Sequence, residues 1–125
     1  WNKENLSKQL IKKNNLCLGH FKSNTLIGFI MGDIIPLDDK AQLDVYILFV
    51  AKEYRRNNIA TNLINYIETT KNSHGIYKIY IEVAENNFGA IKFYQKNNFV
   101  YFNFRHNYYK YENKNFNAKC FLKTI

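Results

Sequence analysis

The sequence predicts an α/β domain built on a central mixed β-sheet with helices on both faces, and three observations predict it. A strongly β-forming run at residues 42–50 leads through a short loop into an amphipathic helical stretch and then into a second β-forming run at residues 77–84. Strand, loop, helix, strand is the crossover unit that makes two parallel neighbours, with its helix placed by the right-handed rule. Hairpin patterns stand at either end, over residues 16–33 and 99–122, and these add antiparallel strands to the parallel pair.

Taken in order, residues 5–13 space Leu6, Leu10 and Ile11 on one helical face. Residues 16–21 and 26–33 read as strands around the turn Lys22-Ser23-Asn24-Thr25. A loop is expected over residues 34–40, which hold Pro36, Asp38 and Asp39. Within 42–50, Val45, Tyr46, Ile47 and Phe49 favour a strand at the buried centre of the sheet. Ile59, Leu63, Ile64 and Ile67 then recur at helical spacing, and the stripe fades by Lys71 and ends before Gly75. After the strand at 77–84 and the polar Glu85-Asn86-Asn87, residues 88–96 carry Ala90, Ile91, Phe93 and Tyr94 on one side of a short helix. Residues 99–105 return as a strand, 107–115 read as a polar loop, and 116–122 close the last hairpin.

The chain has 125 residues, is 46% hydrophobic and shows neither an internal repeat nor a linker, so residues 1–125 are expected to form a single domain. It begins at Trp1 rather than methionine, and a leading strand or helix of the domain is expected to precede it. A formal charge of +8, from 18 basic and 10 acidic residues, suits nucleic acid, membrane headgroups or a phosphorylated cofactor. The basic residues are scattered from Lys3 to Lys119, which argues against a dedicated nucleic-acid surface. Cys17 and Cys120 are too few to staple a secreted domain or complete a zinc site, and His20, His74 and His106 lack ligand spacing, so no metal is expected. The longest wholly apolar run, residues 45–51, is too short to span a bilayer. These features together lead to the expectation of a soluble cytoplasmic protein, present also in the nucleus, with no membrane and no specific nucleic-acid partner.

The stretch EYRRNNIATNLI, residues 53–64, opens the first predicted crossover helix. At the first turn of a helix several N–H groups lack intrahelical acceptors and the dipole is positive, so an anion is favoured there. Arg55 and Arg56 add charge. From these residues alone, a phosphate site and an ordinary turn with solvated arginines stand equally open.

Three segments then fall in a familiar order: VYILFVAKEYRRNNIATNLI, IYIEVAENNFGAIKFYQKNNF and HNYYK. Together they resemble the GNAT acetyltransferases, whose pyrophosphate loop runs Gln/Arg-x-x-Gly-x-Gly/Ala, and the resemblance covers about residues 1–110. Ile81-Glu82-Val83 with Asn87, Ala90 and Tyr94 resembles the RimI and N-terminal acetyltransferase branch. Within it, YRR-x-x-I, IY-x-x-V and NYYK run closest to the NatE catalytic subunit.

The resemblance implies acetyl-CoA as cofactor. It places Arg55, Arg56, Asn57, Asn58, Ile59, Ala60 and Thr61 around the pyrophosphate, Leu48 and Val50 along the pantetheine arm, and Asn87 and Tyr94 on the cofactor side. Tyr94 is implied as the proton donor to the departing thiolate, and its alternative is a core aromatic beside Ala90 and Ile91. Asn58 departs from the motif's glycine. Asparagine tolerates φ > 0 better than most residues, so the loop is expected to keep its path while binding the cofactor more weakly. Asn98 replaces the glycine of a Lys-x-Gly-Phe turn in the same manner.

Asp44 and Glu82 occupy the two positions on adjacent strands where the family places its base, typically tyrosine and histidine in the NatE branch. An α-amino group, with a pKa of about 7.7 to 8.0 against about 10.4 for lysine, needs much less help to reach its neutral form, so a carboxylate acting through water suffices. Two carboxylates near one site push one proton affinity upward, unless one of them serves only as a structural acceptor. Tyr108 and Tyr109 are implied to bond the backbone of a peptide acceptor, and Trp1 and Tyr46 to line the pocket for its first side chain, although Trp1 also suits a hydrophobic cap. The implied activity is acetyl-CoA-dependent acetylation of protein or peptide N-termini, with an auxiliary subunit or the ribosome as further partners. A lysine or polyamine-type acetyltransferase and a GNAT-like binding subunit without turnover are the alternatives.

Overall fold

The computed structural model describes residues 14–70, 75–111 and 113–125. Strands β1 (Asn15–Lys22), β2 (Thr25–Leu37) and β3 (Lys40–Val50) form an antiparallel meander. The chain then crosses through helix α1 (Ile59–Thr70) to β4 (Ile76–Ala84), and helix α2 (Phe88–Lys96) leads to a hairpin of β5 (Val100–Tyr111) and β6 (Lys114–Thr124). The sheet order is β1-β2-β3-β4-β6-β5, with β3 and β4 parallel and all other neighbours antiparallel. This is the mixed α/β architecture that the crossover unit and flanking hairpins predict.

Two stretches expected as loops are strand. β2 continues through Leu37, with Pro36 opposite Ala41; among the described residues β1 pairs with β2 only as far as Asp33, so Pro36 lies beyond that ladder, where a missing N–H is tolerated. β5 continues through Tyr111, so Tyr108 and Tyr109, expected in a polar loop, are strand residues, and Tyr109 stands opposite Phe116. The β preference of these tyrosines outweighs their polar neighbours. The turn shrinks to the residues around Asn113, which takes φ 62°.

The two faces of the sheet differ. Ile79, Ile81 and Val83 share one face with their β6 partners Lys123, Phe121 and Lys119. Ile59, Leu63, Ile64 and Ile67 of α1 and Ile91 and Tyr94 of α2 bury against this face in a single apolar cluster. Tyr94 packs its ring on Phe99 and Phe121 at 5.4 and 5.9 Å between centroids, and Glu68 of α1 pairs with Lys123 at 2.5 Å. Both described helices cover this face; the helix expected over residues 5–13 lies outside the described residues. On the opposite face Asp33 stands beside Asp44 and Asp44 beside Tyr80, with Glu82 following on the same side of β4.

At the centre of the sheet the ladder changes. Met31 pairs with Ile47 and Gly32 with Val45, so Tyr46 is an extra residue in β3, a β-bulge that bends the strand. The β3–β4 ladder ends at Val45 opposite Ile81. Among the described residues, 47–50 then pair with β2 alone, and 82–84 with β6 alone. Gly32 permits the bulge, since a Cβ there would lie 2.2 Å from the Asp44 carbonyl oxygen. Gly32→Ala is expected to lower the unfolding free energy by about 1–3 kcal/mol. Urea denaturation checks this, with Gly89→Ala as the control because a Cβ at Gly89 meets nothing within 4 Å.

Candidate active site

Where β3 and β4 part, a cavity of about 560 Å³ opens. Leu48 and Val50 line it from the end of β3, and Arg55, Arg56, Asn58, Ile59, Ala60 and Thr61 from the loop and first turn of α1. Asn87 and Tyr94 of the α2 segment complete the set that the family resemblance implies, whereas Asn57 does not form part of its wall. Sequence reasoning missed Tyr54, Phe93, Lys96 and Asn97, which also line it. Helical spacing held a signal for two of them, since Lys96 and Asn97 follow Phe93 at the three- and four-residue intervals that share a helix side.

The loop has a defined path. After a short 3-10 turn at Lys52–Tyr54, Arg56 takes φ 68° and Asn58 takes φ 62°, the left-handed region in which glycine is usual. The Asn58 carbonyl accepts the Asn62 N–H at 2.9 Å and so starts α1. Asn98 likewise takes φ 68°, just after α2. Arg55 donates from Nε to the Val50 carbonyl at 3.1 Å, tying the loop to the end of β3. No acidic side chain stands in the first turn of α1, so its N–H groups, Arg55, Arg56 and nearby Lys96 present an uncompensated positive wall suited to a phosphorylated ligand. Asn87 caps α2, its Oδ1 accepting the Ala90 N–H at 3.2 Å. Tyr94 is 6% exposed, packs in the aromatic core as its alternative reading expects, and also lines the cavity.

Beside the cleft lie the carboxylates. Asp44 accepts a hydrogen bond from Gln42 Nε2 at 2.7 Å. Burial pushes its carboxyl upward, the Gln42 bond partly offsets this, and the charges of Asp33 and Glu82 add to the rise, leaving it above the usual aspartate value. Tyr46 donates to Asp33 Oδ2 at 2.6 Å, and chiefly for that reason its hydroxyl is pushed up to about 12. Glu82 receives hydrogen bonds from the Tyr80 hydroxyl, from Arg105 Nη1 at 2.6 Å and from Tyr108. Burial pushes Glu82 upward too, but those three donors outweigh it and hold the carboxyl below the usual glutamate value. The same environment raises the hydroxyl of Tyr80 through burial and through its bonds to Cys120 and Glu82.

The structure therefore gathers Asp44, Tyr46, Glu82 and Tyr108 around one end of the β3–β4 split. Trp1 and the side chain of Tyr109 lie outside the described residues. Arg105 and Asp33 escaped sequence reasoning because each joins the site through cross-strand pairing, which no local spacing announces, whereas Tyr80 lies two residues before Glu82 on the same face of β4, a spacing that strand alternation does offer. Among the described residues no helix is long and apolar enough to cross a membrane, and no cluster of His, Cys, Asp or Glu suited to a metal ion occurs.

Comparison with known proteins adds to this geometry. The Acetyltransferase (GNAT) family profile matches residues 1–99. An N-alpha-acetyltransferase of Saccharolobus solfataricus is 43% identical over 51 residues, covering 40% of this chain. That match spans only 30% of the relative's length. The ribosomal-protein-S18-alanine N-acetyltransferase of Escherichia coli superposes with a TM-score of 0.85 at 18% identity, over 100% of this chain and 77% of the other. Arabidopsis thaliana NAA60 in complex with acetyl-CoA gives 0.83 at 20% identity, over 100% and 84%. At these identities the structural matches speak for the fold.

Asn58 offers a direct test of the loop. Asn58→Gly, which keeps the left-handed backbone and removes the side chain, is expected to tighten acetyl-CoA binding about 2- to 5-fold, or roughly 0.4–1 kcal/mol. Asn58→Val forces a branched Cβ into that conformation at about 1–2 kcal/mol and is expected to weaken binding, with titration calorimetry reading both.

Proposed function

The chain belongs to the GNAT acetyltransferase family, and from that premise we propose that it transfers the acetyl group of acetyl-CoA to the free α-amino group of protein or peptide N-termini. The observation that carries the proposal is the meeting of a positive, loop-lined cavity and a carboxylate pair at the one point where β3 and β4 part. The names of the relatives support the choice of acceptor: one is an N-alpha-acetyltransferase, and another was solved with a bisubstrate analogue. The Glu82-centred pattern in β4 supports placement near the RimI and NatE branches.

Acetyl-CoA supplies an activated thioester acyl group. Arg55, Arg56, Asn58, Ile59, Ala60 and Thr61 would hold its pyrophosphate, with Leu48 and Val50 along the arm and Asn87 at the start of α2. Asp44 is the better base of the pair, because its raised proton affinity lies nearer that of an α-amino group. It takes the amine's proton through water. Glu82 stays ionised and holds its three donors in place. Tyr94, a residue of the cavity wall, would supply a proton to the CoA thiolate. Tyr46 and Tyr108 form the acceptor side, Tyr109 and Trp1 are assigned to it by the family resemblance alone, and the cytoplasm, the nucleus, an auxiliary subunit and the ribosome complete the proposed setting.

Thiol release from acetyl-CoA tests the activity with three acceptors: peptides with free amino termini, an amino-blocked lysine peptide, and spermidine. Release with free termini alone supports the proposal, release with lysine or spermidine replaces the acceptor, and no release with any of them overturns it. Asp44→Asn is expected to lower kcat by about 10²-fold or more while leaving acetyl-CoA affinity unchanged. In the wild type kcat falls as pH drops through the raised Asp44 value, since a protonated carboxyl accepts no proton.

A further inference from the structure

We propose that Arg105 is a positioning residue of the acceptor site, locking the Glu82 carboxylate and the Tyr108 ring into one unit that orients the incoming amino terminus. This rests on the acetyltransferase reading above. Its geometric basis is independent of it.

In a regular strand, residues three apart point to opposite faces. Arg105 stands opposite Ala118, and Ala118 opposite Ala84, which places Arg105 on the face of Glu82. Tyr108 would then face away. The β5–β6 ladder, however, shifts register between Arg105 and Tyr109, and the shift turns Tyr108 to the same face. The result is direct contact: Arg105 Nη1 bonds Glu82 Oε1 at 2.6 Å while its guanidinium carbon lies 4.0 Å from the centre of the Tyr108 ring. Tyr108 in turn shares a hydrogen bond with Glu82, closing the triangle.

Arginine suits this place because one planar group both forks onto a carboxylate and stacks on an aromatic face, whereas lysine offers only charge. The pair is half in solvent, with the Arg105 side chain 47% exposed and Glu82 13% exposed. Exposed ion pairs add little to stability, so the consequence falls on orientation. Tyr80 of β4, Cys120 of β6 and Asp44 of β3 also stand beside Glu82.

The test compares Arg105→Gln and Arg105→Lys with the wild type in peptide kinetics. Arg105→Gln is expected to lower kcat/KM for the peptide by about 10- to 100-fold, to leave KM for acetyl-CoA unchanged, and to move the titration of the Glu82 carboxyl upward as it loses a donor. Arg105→Lys is expected to restore the Glu82 titration and leave the peptide KM raised, a split that a merely structural role would not produce. Arg105→Gln with wild-type peptide kinetics, or Arg105→Lys matching the wild type in both quantities, overturns the proposal. An NMR titration of the Glu82 carboxyl in the free protein keeps it separable from the activity. An upward shift in Arg105→Gln supports the coupling whether or not the wild type turns over, and no shift overturns it.

Discussion

The β-bulge at Tyr46 is the constraint on which the rest of the site depends. A parallel pair in the middle of a sheet ordinarily continues to the ends of its strands, because each buried N–H and C=O needs a partner. Here Gly32 lets β2 approach the Asp44 backbone closely, Tyr46 is left over in β3, and pairing with β4 stops at Val45. The side of β3 that faces β4 over residues 47–50 thus pairs with no strand among the described residues and borders the cavity through Leu48, Phe49 and Val50. A ligand with amide groups of its own matches that edge, which is the physical content of a pantetheine arm lying in such a split.

Charge gives the split a direction. The chain is strongly basic overall, and at the loop Arg55, Arg56 and the start of α1 continue that trend. At the other end Asp33, Asp44 and Glu82 form a local acidic group on the helix-free side of the described sheet. An anionic cofactor and a cationic amine would therefore be drawn to different ends of one opening. The two central carboxylates also differ from each other. Asp44 has one amide donor and two like charges nearby, while Glu82 has three donors, so environment alone pushes their proton affinities in opposite directions.

Much of this was legible in the sequence where the signal is local. Apolar spacing placed α1 and α2, β-branched and aromatic runs placed the strands, and the Arg-Arg-x-Asn-x-Ala loop marked the wall of the cavity. What escaped was non-local or fine-grained. The extension of β5 through Tyr108 and Tyr109 depends on pairing with β6, and Arg105 meets Glu82 only because β6 lies between their strands. The bulge at Tyr46 left no mark in the alternation of β3, since the run that follows it, Ile47, Leu48, Phe49 and Val50, is apolar at every position.

Asparagine explains how the motif's departures coexist with an intact fold. Asn58, Asn98, Asn107 and Asn113 all take φ between 53° and 68°. Glycine enters that region without cost, and asparagine is among the few other residues that enter it readily. A compositional drift from glycine to asparagine therefore spares the backbone path, and the start of α1 at Asn58 shows the path retained. What changes is the room above the backbone. At Asn98 the turn into β5 needs only the dihedral angle, so the exchange is silent there. At Asn58 the same exchange puts a side chain on the cavity wall, in the place where a phosphate would meet the main chain. One substitution pattern thus has two consequences, and the difference lies in whether anything must approach the residue closely.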